Sequence, residues 1–186
     1  MENHVGMKFC SECAQPVTIA IPAGDNRERY VCRNCGTTHY QNPRIVAGCV
    51  PEYQGTILLC KRAIEPRSGY WTVPAGFMEF DETVAQAAAR ETLEEAEAQV
   101  EMGALIAIVD VLQAKQVHIF FAGTLNEPNF GAGHETLAAD LFKPDDIPWD
   151  DIAFPSIRIA LEQFLHNRKT GREELCIRTA PGRPVD

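Results

Sequence analysis

The stretch GFMEFDETVAQAAARETLEEAEA at residues 76–98 decides the fold. Thr83 and Gln86 stand at capping-box spacing, which predicts a helix starting directly after Thr83. On that helix Glu91, Glu94 and Glu95 fall at i, i+3 and i+4, so all three carboxylates project from one side. Counted backwards, the same side continues through Ala88, Ala87 and Val84, small apolar residues of the kind that pack a helix onto a sheet. Acidic groups therefore extend an inward-facing stripe. Like charges so close repel, and the cost falls if a divalent cation that prefers hard oxygen ligands sits between them.

A bare acidic run of this kind is more often a solvated helix face, because Glu is a good helix former. The spacing around it argues otherwise. Gly76 is followed after five residues by Glu82, after seven more by Arg90 and Glu91, and then by Glu94 and Glu95. With each residue type at about one position in fifteen to twenty, coincidence would give this on the order of once in 10⁵ chains.

The arrangement resembles the signature box of the Nudix hydrolases, GX5EX7REUXEEXGU, where U is a bulky aliphatic. Two positions depart from it: Thr92 stands where an aliphatic is usual and Glu97 where Gly is usual. Gly at the second position would end the helix in a left-handed conformation that costs a non-Gly residue roughly 1 kcal/mol. The helix is therefore expected either to carry that cost or to run a few residues further.

The resemblance covers about residues 44–167 and implies an α/β fold, a Nudix-type α/β/α sandwich with a mixed β-sheet. It implies Mg²⁺ or Mn²⁺ held by Glu91, Glu94 and Glu95 with the backbone carbonyl of Ala75. Glu94 would bind a second ion or orient water. A Glu82–Arg90 ion pair is expected to clamp the loop onto the helix. The implied catalytic set is Glu91, Glu94, Glu95, Arg90 and Glu135, with Glu135 or a box carboxylate as the base. Glu79 is a further candidate for the substrate side.

Upstream, Cys10-x-x-Cys13 and Cys32-x-x-Cys35 are separated by eighteen residues, the spacing of a zinc ribbon. Each turn offers two thiolates to one Zn²⁺, and so small a module draws much of its folding free energy from the metal. Redox dithiols are the alternative, but two matched knuckles are unnecessary for that chemistry. Against Glu12, Asp25 and Glu28 the ribbon carries only Arg27, Arg29 and Arg33, which favours a structural or dimer-stabilising role over nucleic-acid binding. The expected organisation is a ribbon at 1–40, the hydrolase domain at 41–172 and a tail at 173–186.

The whole chain fits this organisation. Its 186 residues can bury one good core and a satellite module. A net charge of −9 disfavours binding through nucleic-acid phosphates, and seven cysteines, an odd number, argue against a disulfide framework. No apolar run approaches the ~18 residues of a membrane helix, and the N-terminus lacks the apolar core of a signal peptide. A cytoplasmic, non-membrane protein is expected.

Between these motifs, 44–50 and 56–62 read as strands, with Cys49 and Cys60 as small buried hydrophobes. Lys61 and Arg62 end the second strand, where positive charge would suit a phosphate or be a plain exposed strand end. Tyr70, Trp71 and Phe77 suit either stacking on a base or flavin ring or core packing. Residues 116–124 read as a strand with His118 packed inside it. Residues 125–134 read as a mobile, substrate-facing loop. A strand at 137–142, an amphipathic helix at 156–167 ended by Gly171 and a short strand around 175–179 complete the reading.

The zinc-ribbon group it resembles includes enzymes that cleave ADP-ribose and FAD, with NPRIVAGCVP and GYWTVPAGFME looking like theirs. A nucleoside diphosphate derivative, ADP-ribose or FAD first, is therefore the expected small-molecule substrate. NAD or NADH is the alternative, although the SQPWPFPxS segment that marks NADH pyrophosphatases is absent. Two further classes stay open: a non-catalytic nucleotide-sensing regulator, which commonly loses box glutamates kept here, and an RNA-directed enzyme using the ribbon as a docking module.

Overall fold

The computed structural model describes residues 6–182. The outermost parts of the expected ribbon and tail, 1–5 and 183–186, lie outside the described residues. The chain divides into two compact units, Met1–Asn42 and Pro43–Asp186.

In the first unit β1 (Val17–Ala20), β2 (Arg29–Cys32) and β3 (Thr38–His39) form an antiparallel sheet in that order. Asp25 shapes the β1–β2 connection. Its carboxylate accepts the N–H groups of Asn26 (2.7 Å) and Arg27 (3.2 Å) and the Arg29 Nε–H (2.9 Å). Among the described residues of this unit, the only buried apolar side chains are Cys10 and Cys32.

The second unit contains β4 (Arg44–Tyr53), β5 (Thr56–Arg62), β6 (Trp71–Thr72), β7 (Ala75–Phe77), α1 (Val84–Ala96), β8 (Val100–Val111), β9 (Gln116–Leu125), β10 (Thr136–Phe142), α2 (Pro155–Thr170) and β11 (Cys176–Thr179). Its sheet runs β10-β5-β4-β9-β8-β11, with β6 beside β5 and β7 beside β4. The β4–β9 and β8–β11 pairs are parallel and the others antiparallel, so the sheet is mixed.

Residues 46–51 are buried on both faces because a helix covers each. Ala47 and Cys49 meet Ala87 and Ala88 of α1 on one face, while Val50 meets Ile157, Ala160 and Leu161 of α2 on the other. Each large aliphatic side chain buried this way contributes roughly 1.5–3 kcal/mol. The small residues predicted on the inner side of α1 bring it close to β4, and that closeness carries its carboxylates to β7.

Three expectations are refined. First, α1 does not run further: it stops at Ala96, and Glu97 takes the left-handed conformation at φ 49°, ψ 25°. Second, the region after α1, to which the sequence gives no element, is one twelve-residue strand, Val100–Val111. Third, the described part of the tail joins the main sheet. There β11 pairs with β8, and the Ala180 N–H donates to Asp110 O at 2.8 Å. The bounds of β11 agree with the short strand expected around 175–179, and its place at the sheet edge leaves Ile177 67% exposed.

Candidate functional site

The loop before α1 is fixed at both ends. The Gln86 N–H donates to Thr83 Oγ1 at 3.2 Å and the Thr83 N–H donates to Gln86 Oε1 at 2.8 Å, closing the capping box. Arg90 then clamps the loop to the helix. Its Nε–H and Nη2–H donate to the two Glu82 oxygens at 3.0 and 2.8 Å, and Nη2 also reaches Phe77 O at 3.0 Å. The guanidinium, joined by the Glu79 N–H at 2.7 Å, holds the Glu82 carboxyl down at about 2. Glu79 is thus fixed by its backbone, and its side chain is exposed.

The three box carboxylates do not behave alike. Glu94 is 58% exposed and lies on Arg90 Nη1 at 3.1 Å, so in this structure it points to Arg90 rather than inward. The Glu91 carboxylate also touches Arg90 Nη1, at 2.8 Å, but it lies against Gly76, where a Cβ would overlap its carboxyl group. Only glycine leaves that space. Glu95 is 9% exposed and accepts the Ala75 N–H at 3.0 Å. The sequence reading used the Ala75 carbonyl, whereas the contact seen here is through its N–H.

Burial raises the Glu95 carboxyl to about 7, opposed by the Ala75 N–H and by Arg62 and reinforced by Glu91 and Glu135. Burial likewise raises Glu91, against the pull of Arg90, with Glu94 and Glu135 adding repulsion. A pair of desolvated carboxylates in each other's field is a donor set that a hard divalent cation would relieve. Glu91 and Glu95 therefore fit the implied Mg²⁺ or Mn²⁺, with Glu94 able to join by leaving Arg90.

Glu135 is brought to the same place by a tertiary contact. Its own O accepts the Ala63 N–H at 2.8 Å, while the Gly131 N–H donates to Ala96 O at 2.8 Å and the Gly133 N–H to Glu95 O at 3.1 Å. The loop expected to be mobile is thus pinned to the end of α1. Its glycines satisfy carbonyls that a helix terminus leaves open. A side chain at Gly133 would overlap Glu94 O. Sequence reasoning missed this cap, whose one signal is the Gly-x-Gly run just before Glu135.

Of the remaining candidates, Phe77 is 41% exposed and carries the Arg44 guanidinium 4.4 Å above its ring. Arg62 donates its Nε–H to Pro66 O at 3.0 Å and lies 5.2 Å from the Phe154 ring centroid. Trp71 packs edge-on to Phe142 at 4.9 Å, the core role. His118 is buried, bonded through Nε2 to Gln116 Oε1 at 2.8 Å and lowered to about 4 by burial, so it is a packed histidine. Cys49 and Cys60 are buried thiols, each pushed up to about 12 by desolvation.

In the first unit the sulfurs of Cys10, Cys13, Cys32 and Cys35 all lie within 4.8 Å of one another, with contacts of 3.5 to 3.6 Å. A tetrahedral site with Zn–S near 2.3 Å spaces its sulfurs about 3.8 Å apart. The four thiols therefore fit Zn²⁺. Among the described residues no other group of three or more ligands is this tight.

Comparison with known proteins agrees with this geometry. The family described as NUDIX domain matches residues 42–164, and that described as Nudix N-terminal, a zinc ribbon, matches residues 8–41. A crystal structure of a NUDIX hydrolase from Nitrosomonas europaea superposes with a TM-score of 0.90 at 46% identity, covering 93% of this chain and 98% of that one. An ADP-ribose pyrophosphatase from Streptococcus suis shares the fold, with a TM-score of 0.59 at 24% identity over 74% of this chain and 99% of that one. A curated relative, the NAD-capped RNA hydrolase NudC of Edwardsiella ictaluri (strain 93-146), is 36% identical over 95 residues. That match covers 50% of this chain and 34% of the relative, so the aligned region spans about a third of the relative's length.

Proposed function

The chain belongs to the Nudix family, and from that premise we propose that it hydrolyses the diphosphate bond of a nucleoside diphosphate derivative, ADP-ribose or FAD, to two monophosphates. The observation that carries this reading is the Glu91–Glu95 pair, held against Gly76 and Ala75 under raised pKa values beside the Arg62 cation. Bound by Glu91, Glu95 and Glu94, a divalent cation supplies charge neutralisation at the phosphate oxygens and a more acidic water.

The chain's own residues do the rest. Arg90 and Glu82 keep the 77–82 loop and α1 in fixed register. Arg62 offers its free guanidinium donors to a phosphate oxygen. Glu135, exposed and held by the Ala63 contact, accepts the proton of the attacking water. As the new P–O bond forms, the bridging P–O bond breaks and the second phosphate leaves.

A second reading, cleavage of NAD, NADH or an RNA end capped with such a dinucleotide, draws support from the similarity to NudC. The net charge of −9 weighs against the RNA form. Incubation with Mg²⁺ and ADP-ribose, FAD, NAD and NADH, with products identified by mass spectrometry, tests both. Monophosphate pairs are expected, formed at rates that fall at least a hundredfold in Glu95→Gln. Absence of turnover on every diphosphate tried, with Mg²⁺ or Mn²⁺, would leave a nucleotide-binding regulator in its place.

A further inference from the structure

Two arginines close to the carboxylate site each lie over an aromatic ring. Arg44 lies 4.4 Å above the Phe77 ring, and Arg62 lies 5.2 Å from that of Phe154. Ala75 meets Glu95, Gly76 meets Glu91 and Phe77 follows along β7, while the Arg62 charge acts on Glu95 from the end of β5. In register, Val46 of β4 pairs with Phe77, and Arg62 of β5 pairs with Thr136 of β10. One platform thus sits on the β4–β7 side and the other on the β5–β10 side.

Neither arginine is neutralised. In a chain of net charge −9, no carboxylate among the described residues lies within 4.0 Å of Arg44 or Arg62. A planar cation backed by a ring offers its outer face to an aromatic base and its edge to a phosphate.

We propose that Arg44 with Phe77 and Arg62 with Phe154 form two ring-binding platforms, so that the preferred substrate carries an aromatic ring at both ends of its diphosphate. The inference rests on the diphosphate-hydrolase reading and narrows it: dinucleotides, with two rings, are favoured over ADP-ribose, which fills only one of the two platforms. The Phe154 ring, partly buried against the core that α2 covers, is a fixed backing rather than a mobile surface group.

The test compares kcat/KM for FAD and ADP-ribose in the wild-type chain, in Arg62→Lys, which keeps the charge and loses the plane, and in Phe154→Leu, with thermal melts as the folding control. The wild type is expected to favour FAD by about tenfold, and both variants to lose about five- to tenfold on FAD, through KM; ADP-ribose changes less than twofold in Phe154→Leu, and in Arg62→Lys, which also alters a phosphate contact, it loses less than FAD does. Equal losses on both substrates, or none on FAD, overturn the proposal. If no diphosphate is cleaved, the hydrolase reading fails by itself. The platform is then judged by quenching of FAD fluorescence without metal: weaker binding by both variants upholds it, and unchanged or undetectable binding overturns it.

Discussion

At the residue level Glu95 links burial to pH. Its carboxyl stands near 4.5 in the unfolded chain and about 7 when folded. The folded state therefore retains a proton that the unfolded state has lost. That contribution is full below pH 4.5 and is lost as pH rises through 7, by up to about 3 kcal/mol. His118, lowered from 6.5 to about 4, has the opposite sign, because stability rises with pH across its window and masks Glu95 there. Above pH 6.5 the unfolded histidine has less than half a proton left to lose, so Glu95 sets the sign. The unfolding free energy measured in urea without added divalent cation is thus expected to fall between pH 6.5 and 8 by about half a kcal/mol, and Glu95→Gln to abolish that fall. A wild-type slope equal to that of the variant would remove Glu95 as its source. Thr92, fully buried, sets a contrasting expectation. Its hydroxyl donates to Ala88 O at 2.7 Å, and that carbonyl is also a helix acceptor, so Thr92→Val should change stability by less than about 0.5 kcal/mol in the same assay.

At the element level, α1 is closed from outside. Glu97 carries the left-handed conformation that the family pattern assigns to glycine, and Gly131 and Gly133, in a distant loop, donate to the carbonyls of Ala96 and Glu95. Glu97→Gly should relieve strain of roughly 1 kcal/mol and raise the melting temperature by about 2–4 °C. Gly133→Ala should act in the other direction. The methyl overlaps Glu94 O, so the loop must withdraw with its two hydrogen bonds, a loss of about 2–3 kcal/mol. Because Glu135 follows two residues on, kcat is expected to fall at least tenfold; a folded Gly133→Ala with wild-type kcat would show that the loop does not position it. What the sequence revealed here follows from locality. Thr83 with Gln86, and Glu82 with Arg90, lie within eight residues, so spacing alone exposed the capping box and the clamp. The helix cap spans about thirty-five residues, and Arg90's hold on Glu94 depends on three acids competing for one guanidinium. Neither leaves a periodic trace.

At the level of the whole molecule, the two units are stabilised by different physics. The Pro43–Asp186 unit buries Leu59, Val109, Phe120, Ile157 and Leu161 between a sheet and helices, whereas the buried apolar side chains of the described ribbon are two of its own thiols. The paired Cys-x-x-Cys spacing made the metal legible, and the small size of the module already implied that the metal would supply much of its folding free energy. Metal binding and folding should therefore be one event in the ribbon. Withdrawing Zn²⁺ with a chelator is expected to release about one equivalent per chain and to collapse the dispersed amide resonances of residues 6–42. The melting transition of residues 43–182 should persist, because its core contains no metal ligand of the ribbon. Cys32→Ser, which removes a buried thiolate, should reproduce the apo spectrum with zinc present. A ribbon that keeps its amide dispersion after the metal has left would mean that its three short strands are stable by themselves, against the minimal burial they achieve.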